Sequence, residues 1–271
     1  MSKVVITVAP TGNVPTKDKT PHVPVTPEEI ARSVYECYRA GAAVAHIHAR
    51  DENGLPTYRK EVFREIVERI REKCDIIIQL STGARAGKTA EERAECVTLG
   101  PEMASLTTGS SNFPTAVNSN PPELIEYLCR QMNAYGVVPE IEVFDAAMIA
   151  NALALEKKGL LKSPLHFNLV MGVPGSIPAT PKNMFFLVES LPPGSYWTCT
   201  SIGPLHPNLS MVAIALGGHV RTGIEDNIYY DRGVLATNPM LVERVVRMAE
   251  ASGRGVATVA EAREMLGLKT G

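Results

Sequence analysis

The sequence predicts a single-domain (β/α)8 barrel, and three features of the chain lead to that fold class. Short β-branched runs alternate with stretches of helical periodicity along almost all of the 271 residues. Eight such strand–helix units can be counted, and alternation of this kind produces a parallel sheet. No long linker interrupts them, and no GxGxxG follows the first strand, as an open dinucleotide-binding sheet would require. Eight units therefore predict a closed barrel.

The first four units are marked by apolar runs and by clear helix boundaries. Thr26 is a favourable N-cap and Pro27 suits the first helical position, while Gly136 ends the fourth helix. The predicted strands cover residues 4–9, 43–48, 75–80 and 102–107, and the predicted helices cover residues 27–40, 60–73, 89–98 and 121–135.

The second four units follow the same pattern, and Gly159 ends the fifth helix. The predicted strands cover residues 137–143, 165–170, 196–201 and 218–221, and the predicted helices cover residues 146–158, 182–190, 209–216 and 239–251. A short extra helix over residues 260–266 completes a single domain that spans residues 1–271.

Composition excludes several classes of partner. Hydrophobic residues make up 45% of the chain and charged residues 21%, and the net charge of -2 predicts neither a nucleic-acid nor a membrane partner. The five cysteines are widely spaced without a CxxC, which is typical of reduced thiols rather than disulfides or a thiolate zinc site. The N-terminal apolar run is short and meets Pro10, so we expect neither a signal peptide nor an anchor, and a cytoplasmic location.

Two histidines at the end of the predicted second strand indicate a metal site. His46 and His48 are two residues apart, so both side chains point to one face of the strand while Ile47 points to the other. Active sites of such barrels lie at the carboxyl ends of the strands. Paired imidazoles there suit zinc or a similar divalent cation better than a hydrogen-bonded polar core.

A third ligand is expected from the loop after the eighth strand. Strands eight and two both flank strand one, so Glu225 or Asp226 can reach the histidines. Two histidines and one carboxylate with an open position are typical of a catalytic zinc site. Asp51 and Glu52 are rival ligands, although residues 51–54 are predicted to form an exposed turn. His219 is a further candidate.

Strand five carries two carboxylates on one face. Glu142 lies nearer the carboxyl end, where an acid beside a cation can be a base, a ligand or a substrate anchor, and we predict a functional role for it. Glu140 is predicted to be structural. His166 and His206 belong to other units, and core or loop hydrogen bonds are expected for each.

Hydroxyl groups and free backbone N–H groups follow strands three and four, and groups of this sort bind carboxylates. The residues concerned are Ser81, Thr82, Gly83, Ser105 and Thr107. Arg85 and Lys88 come next along the chain, and they meet either the phosphates of a cofactor or only solvent.

Together these segments resemble the β-keto acid cleavage enzymes. The resemblance follows the chain almost from end to end, in order and spacing, and as a set the motifs are highly specific. The segments that carry it are His46-Ile47-His48-Ala49-Arg50, Ser81-Thr82-Gly83, Pro139-Glu140-Ile141-Glu142-Val143, Gly172-Val173-Pro174-Gly175 and residues 217–227.

The resemblance implies a zinc-dependent (β/α)8 enzyme that is a homotetramer. It implies a reaction between a β-keto acid and acetyl-CoA that yields acetoacetate and a new acyl-CoA. The metal ligands of the family correspond to His46, His48 and Glu225. The Arg–Asp pair of the family corresponds to Arg221 and Asp226.

The remaining family positions concern the substrate. The strand-five acid corresponds to Glu142, and the contacts to the substrate carboxylate correspond to Ser81 and its neighbours and to Ser105 and Thr107. Asp226, kept ionised and oriented by Arg221, is the first choice for the base in the condensation, and Glu142 is the alternative.

One position departs from the pattern of the amino-substrate enzyme of the family. That enzyme has an acidic residue where this chain has Val14, and an acid there can pair with a substrate ammonium group, whereas valine cannot. The sequence therefore predicts a substrate with a neutral or apolar tail.

Three other functions remain open. A metal-dependent hydrolase also uses an HxH motif, although amidohydrolase barrels place it after strand one and add histidines from strands five and six. A metal-dependent retro-aldol lyase would need no CoA. A metal-stabilised barrel without catalysis is the third possibility.

Overall fold

The computed structural model describes residues 3–84, 88–114 and 116–268. It contains a closed barrel of eight parallel strands, in which each strand pairs with its neighbours in the chain and the eighth pairs with the first. This confirms the predicted fold class. The strands are Ile6–Val8 (β1), Val44–Ile47 (β2), Ile77–Leu80 (β3), Met103–Thr107 (β4), Val138–Val143 (β5), His166–Met171 (β6), Tyr196–Ser201 (β7) and His219–Thr222 (β8).

The helices lie between the strands, and a last helix follows the final unit. They are Pro27–Ala40 (α1), Lys60–Arg71 (α2), Ala90–Ala94 (α3), Pro122–Tyr135 (α4), Ala146–Lys157 (α5), Pro181–Glu189 (α6), His206–Ala215 (α7), Asn238–Ala251 (α8) and Val259–Met265 (α9). The third unit differs from the prediction of one helix over residues 89–98, because α3 has five residues and continues as the 3-10 helix Glu95–Leu99.

The start of α1 shows how local sequence sets an element. The Thr26 side chain accepts a hydrogen bond from the backbone N–H of Glu29, and the Glu29 side chain accepts one from the backbone N–H of Thr26. This capping box satisfies two donors that the first turn leaves free. At the other end Gly41 has φ 115°, a left-handed conformation that glycine adopts without strain.

Three short hairpins were not predicted. They lie in the loops after β2, β4 and β8 and consist of Ala49–Arg50 with Pro56–Thr57, Ser111–Phe113 with Ala116–Asn118, and Tyr229–Asp231 with Val234–Leu235. The first contains the predicted turn, where the Asp51 carboxylate accepts hydrogen bonds from the backbone N–H groups of Asn53 and Leu55. The Asp51 carboxylate is therefore already engaged in hydrogen bonds within its own turn.

The register of β1 brings the two predicted halves of the site together. Thr7 pairs with Val44 of β2 and with Arg221 of β8, so the loops that follow these strands meet above β1. Outward residues such as Ala45 and Ile47 pack against the helices in the main core. Inward residues form the barrel interior, which is mainly apolar at the amino end, apart from His166 and His219, and polar towards the mouth.

His219 is not a metal ligand candidate in this fold. It is the first residue of β8, where its Nδ1 accepts a hydrogen bond from the backbone N–H of Val5 at 3.0 Å and its ring stacks on Tyr196. It lies at the amino end of the barrel, opposite the mouth, so the sequence-based candidate was wrong. His206 begins α7, and His166 begins β6.

Candidate metal centre and active site

His46, His48 and Glu225 converge at the barrel mouth. One ligand atom from each lies within 4.8 Å of the other two. Oε1 of Glu225 is 3.3 Å from Nε2 of His48 and 3.9 Å from Nε2 of His46. A tetrahedral ion with ligands at about 2.1 Å would separate them by about 3.4 Å. The spacing therefore fits a small divalent cation.

Neighbouring side chains hold both imidazoles in the tautomer that metal binding requires. Nδ1 of His46 is 2.6 Å from Oε1 of Gln79, and Nδ1 of His48 is 3.0 Å from Oδ1 of Asn13. Amide oxygens only accept hydrogen bonds, so each Nδ1 carries the proton and each Nε2 presents a lone pair. Both Nε2 atoms face Glu225.

Protonation and burial also fit a metal ligand set. Burial, reinforced by the charge of Arg221, lowers the pKa of His46 to about 3, so its ring is neutral. Burial alone would raise the pKa of Glu225, but Arg221 and the two histidines hold it well below its ordinary value. Nε2 of His46 and Oε2 of Glu225 are buried and have no hydrogen-bond partner within the described residues. A cation between them would satisfy both atoms.

Arg221 joins Glu225, one of the candidate ligands, to two further acids. Its Nε and Nη2 donate to the two carboxylate oxygens of Asp226 at 3.0 and 2.9 Å, and Nη2 also donates to Oε1 of Glu225 at 2.7 Å. Nη1 lies 3.5 Å from Oε1 of Glu142. The three carboxylates raise the pKa of Arg221 although burial opposes it, so the guanidinium stays charged.

Asp226 and Glu142 differ in their surroundings. Burial, with the nearby charge of Glu225, raises the pKa of Asp226 to about 6 despite its bidentate pairing with Arg221. Oε2 of Glu142 accepts a hydrogen bond from the Thr107 hydroxyl at 2.8 Å. Both acids line the cavity at the mouth. Arg221 therefore orients the Asp226 carboxylate, and the raised pKa of Asp226 suits it to act as a base near neutral pH.

Glu140 lies deeper than Glu142 and does not line the cavity. It is buried, and burial raises its pKa to about 7. This position is consistent with the structural role predicted for it.

The mouth encloses a cavity of about 130 Å³ that is lined by both polar and apolar side chains. The polar groups belong to the metal centre and the Arg221 cluster. The apolar lining consists of Val14, Phe113, Phe144, Val170, Val173 and Ile202. A small polar head with an apolar tail suits such a cavity.

The predicted hydroxyl groups divide into two sets. Ser81, Gly83 and Thr107 line the cavity. Thr82 and Ser105 do not, because they bond to each other: the Thr82 backbone N–H donates to the Ser105 hydroxyl and the Thr82 hydroxyl donates to the Ser105 carbonyl. These two residues fix the loop that presents Ser81.

Of the two basic residues predicted to meet a cofactor, Arg85 lies outside the described residues. Lys88 is described and exposed. Its ammonium group is 3.0 Å from Oε1 of Glu92 and 5.4 Å from the centre of the Tyr58 ring. An incoming phosphate would compete with these contacts.

Sequence reasoning missed the residues that support the ligands. Gln79 has apolar neighbours on β3 and pairs with His46 in the strand register. A single amide in an otherwise apolar strand was the one sequence feature that could have indicated its role. Asn13 follows β1 and gave no signal. Arg50 is buried and donates to the carbonyls of Gly12 and Pro15, which fixes the loop that carries Asn13.

Comparisons with known proteins agree with this arrangement. A family model described as beta-keto acid cleavage enzyme matches residues 3–268. The chain is 48% identical to a 3-keto-5-aminohexanoate cleavage enzyme of Acetoanaerobium sticklandii, over 99% of both chains. It is 41% identical to a 3-oxoadipate:acetyl-CoA acetyltransferase of Cupriavidus necator, over 97% of this chain and 94% of that one.

Among solved structures, the apo structure of ObcA superposes with a TM-score of 0.80 at 24% identity. The match covers 92% of this chain and 66% of the longer one, so this chain spans just under two thirds of that protein. At this identity the likeness supports the fold alone.

Proposed function

The chain belongs to the family of β-keto acid cleavage enzymes, and from this premise we propose that it reacts a β-keto acid with acetyl-CoA to give acetoacetate and a new acyl-CoA. The observation that carries the proposal is that His48, Glu225 and the Arg221–Asp226 pair line one small cavity. His46, the third candidate ligand, lies next to it with its Nε2 3.9 Å from Oε1 of Glu225. One relative is named as an acetyl-CoA acetyltransferase, which supports acetyl-CoA as the co-substrate.

We propose zinc as the metal, held by His46, His48 and Glu225. Two imidazoles and one carboxylate are a donor set that zinc prefers, and a fourth position is left for a substrate oxygen. When bound, the metal supplies Lewis-acid polarisation of a ketone, an effect of several kcal/mol.

The polar lining would hold the acid end of the substrate. Ser81, Gly83 and Thr107 line the cavity on the side of β3 and β4. The Thr107 hydroxyl donates to Glu142 and the Gly83 N–H donates to the Ser81 hydroxyl oxygen, which leaves the Ser81 hydroxyl as the donor to a carboxylate. We assign Thr82 and Ser105 a supporting part, since they bond to each other beside Ser81.

Asp226 is the proposed base. It takes a proton from carbon 2 of the acid, between ketone and carboxylate, and that carbon then bonds to the acetyl carbon while CoA leaves as its thiolate. Attack of the thiolate on the ketone carbon breaks the bond between carbons 2 and 3 and forms the new acyl-CoA, while the enolate on carbon 2 takes the proton back from Asp226 and leaves as acetoacetate. Arg221 keeps Asp226 in place. Glu142, also on the cavity, is the alternative base.

We propose a neutral or apolar substrate tail. Val14 lines the cavity together with the other apolar side chains, where an ammonium group would meet no carboxylate from this position.

The CoA contacts, the assembly and the location are further proposals. Arg85 and Lys88 are the sequence-based candidates for a phosphate contact. A homotetramer is supported by the exposed apolar side chains of Phe185, Phe186 and Met211 on α6 and α7. No helix of the described residues is long and apolar enough to cross a membrane. The five cysteines are unpaired, which supports a reducing compartment such as the cytoplasm.

The decisive experiment incubates purified enzyme with a panel of β-keto acids and acetyl-CoA and measures acetoacetate, together with metal content. Acetoacetate that depends on acetyl-CoA and on bound metal is the expected result. Hydrolysis without acetyl-CoA would support a hydrolase instead, and cleavage without it a lyase. Bound metal without turnover across the panel would support a binding protein.

A further inference from the structure

A second cavity lies beside the active site, between the loops that follow β7 and β8. We propose that it binds the nucleotide part of acetyl-CoA, the 3′-phosphate, adenosine and diphosphate, and this rests on the proposed use of acetyl-CoA. The active-site cavity, about 130 Å³, is smaller than the ~300 Å³ at which cavities for drug-sized ligands begin. The second cavity, about 510 Å³, lies within their range.

The two cavities share the same loops. Ile202 lines the active site and the next residue, Gly203, lines the second cavity; likewise Asp226 lines the first and Asn227 the second. The Asn227 side chain accepts from the backbone N–H of Gly203 and donates to the carbonyl of Ser201, which ties the loops together. A pantetheine arm that crosses this edge would carry the thioester from one cavity to the other.

The lining suits an anionic nucleotide. Arg232 and Arg244 face one acid, Asp231, so the wall carries a net positive charge. The Arg232 guanidinium has no partner in residues 3–84, 88–114 and 116–268. Tyr229 is more than half exposed, so its ring is open to stacking by the adenine base. The Arg244 guanidinium lies 3.5 Å from the centre of the Tyr230 ring.

His206 is an independent sign of a ligand. It lines the cavity and is 2% exposed, yet its Nε2 has no hydrogen-bond partner within the described part of the chain. A buried polar atom of this kind needs a partner, and a ribose hydroxyl or a base supplies one. His206 also begins α7, whose amino end carries a partial positive charge, and loops after strands seven and eight often bind phosphate in this fold.

The rival site lies across the mouth, beside Lys88. A cavity of about 410 Å³ there includes Lys88, Arg93 and Glu123. Arg93 is buried and uses its donors on Thr82, Ser119 and Asn120, and Lys88 is paired with Glu92. Both cavities have two basic residues and one acid in their lining, but the basic side chains beside Lys88 are already paired, whereas the Arg232 guanidinium is not paired with any described residue.

The test compares donors with and without a nucleotide. Arg232→Ser and Arg244→Gln should raise the KM for acetyl-CoA about tenfold, since a charge-assisted hydrogen bond contributes at least the ~1.4 kcal/mol that corresponds to tenfold. Their KM for S-acetylpantetheine, which lacks the nucleotide, should stay unchanged. Arg64→Ser, which removes the same charge from the exposed face of α2, is the matched control.

If the KM rises equally for acetyl-CoA and for S-acetylpantetheine, the proposal is overturned. It is overturned as well if Lys88→Ser raises the KM for acetyl-CoA and Arg232→Ser does not. If neither acetyl donor is turned over, the proposed function fails. Calorimetric titration with adenosine 3′,5′-bisphosphate then still shows whether the second cavity binds a nucleotide. Binding to the wild type that Arg232→Ser weakens supports the site; absence of binding to the wild type refutes it.

Discussion

Gln79→Met should weaken metal binding without altering any ligand. Gln79 is fully buried, and its Oε1 is 2.6 Å from Nδ1 of His46, so it fixes the tautomer that leaves Nε2 free for the metal. Methionine has a similar volume and no amide oxygen. Loss of such a supporting hydrogen bond lowers metal affinity by about 10- to 100-fold, or about 1.4 to 2.8 kcal/mol.

Chelator competition measures this change directly, and thermal unfolding with and without zinc provides an independent readout. At saturating zinc the metal-dependent part of the unfolding free energy should fall by the same ~1.4 to 2.8 kcal/mol. Thr200→Val is the matched control. It removes a buried 2.7 Å hydrogen bond to Asn168 within the same barrel, at about 1 kcal/mol of stability, but touches no ligand.

The reasoning is refuted if Gln79→Met binds zinc as tightly as the wild type. It is refuted equally if Thr200→Val weakens zinc binding as much, because the effect would then reflect a loosened barrel rather than the orientation of His46.

Three further results are expected. His46→Ala or His48→Ala should abolish metal retention and acetoacetate formation, and an active, metal-free double variant would remove the central claim. Val14→Glu should shift kcat/KM towards 5-amino substrates, and a wild type that already prefers them would contradict the role of Val14. Burial lowers the pKa of His166 from 6.5 to about 4. Unfolded His166 therefore gains a proton at a higher pH than the folded protein does, and stability should fall by up to about 3 kcal/mol as pH drops from 6.5 to 4. His166→Phe, which keeps a ring against Tyr196, should flatten that slope in unfolding curves, and an unchanged slope would argue against it.

The candidate metal site could be found from sequence because its signal is local. Alternation along β2 places His46 and His48 on one face whatever surrounds the strand, and the pairing of β8 and β2 with β1 follows from closing eight units into a barrel. The capping box at Thr26 is equally local, and α1 begins at the predicted residue. Arg221 and Glu225 came from the resemblance together with that closure.

The sequence by itself thus determined the fold class, the inward faces and the candidate ligands. It did not determine how deep each inward side chain lies along the barrel axis. Alternation along a strand shows which residues share a face, but the stagger between neighbouring strands fixes their depth. His219 and Arg221 share a face of β8, yet His219 bonds to Val5 at the amino end whereas Arg221 reaches Asp226 at the mouth. The supporting contacts of Gln79 and Asn13, and the second cavity, likewise join segments far apart in the chain. Only tertiary packing decides which of those segments meet.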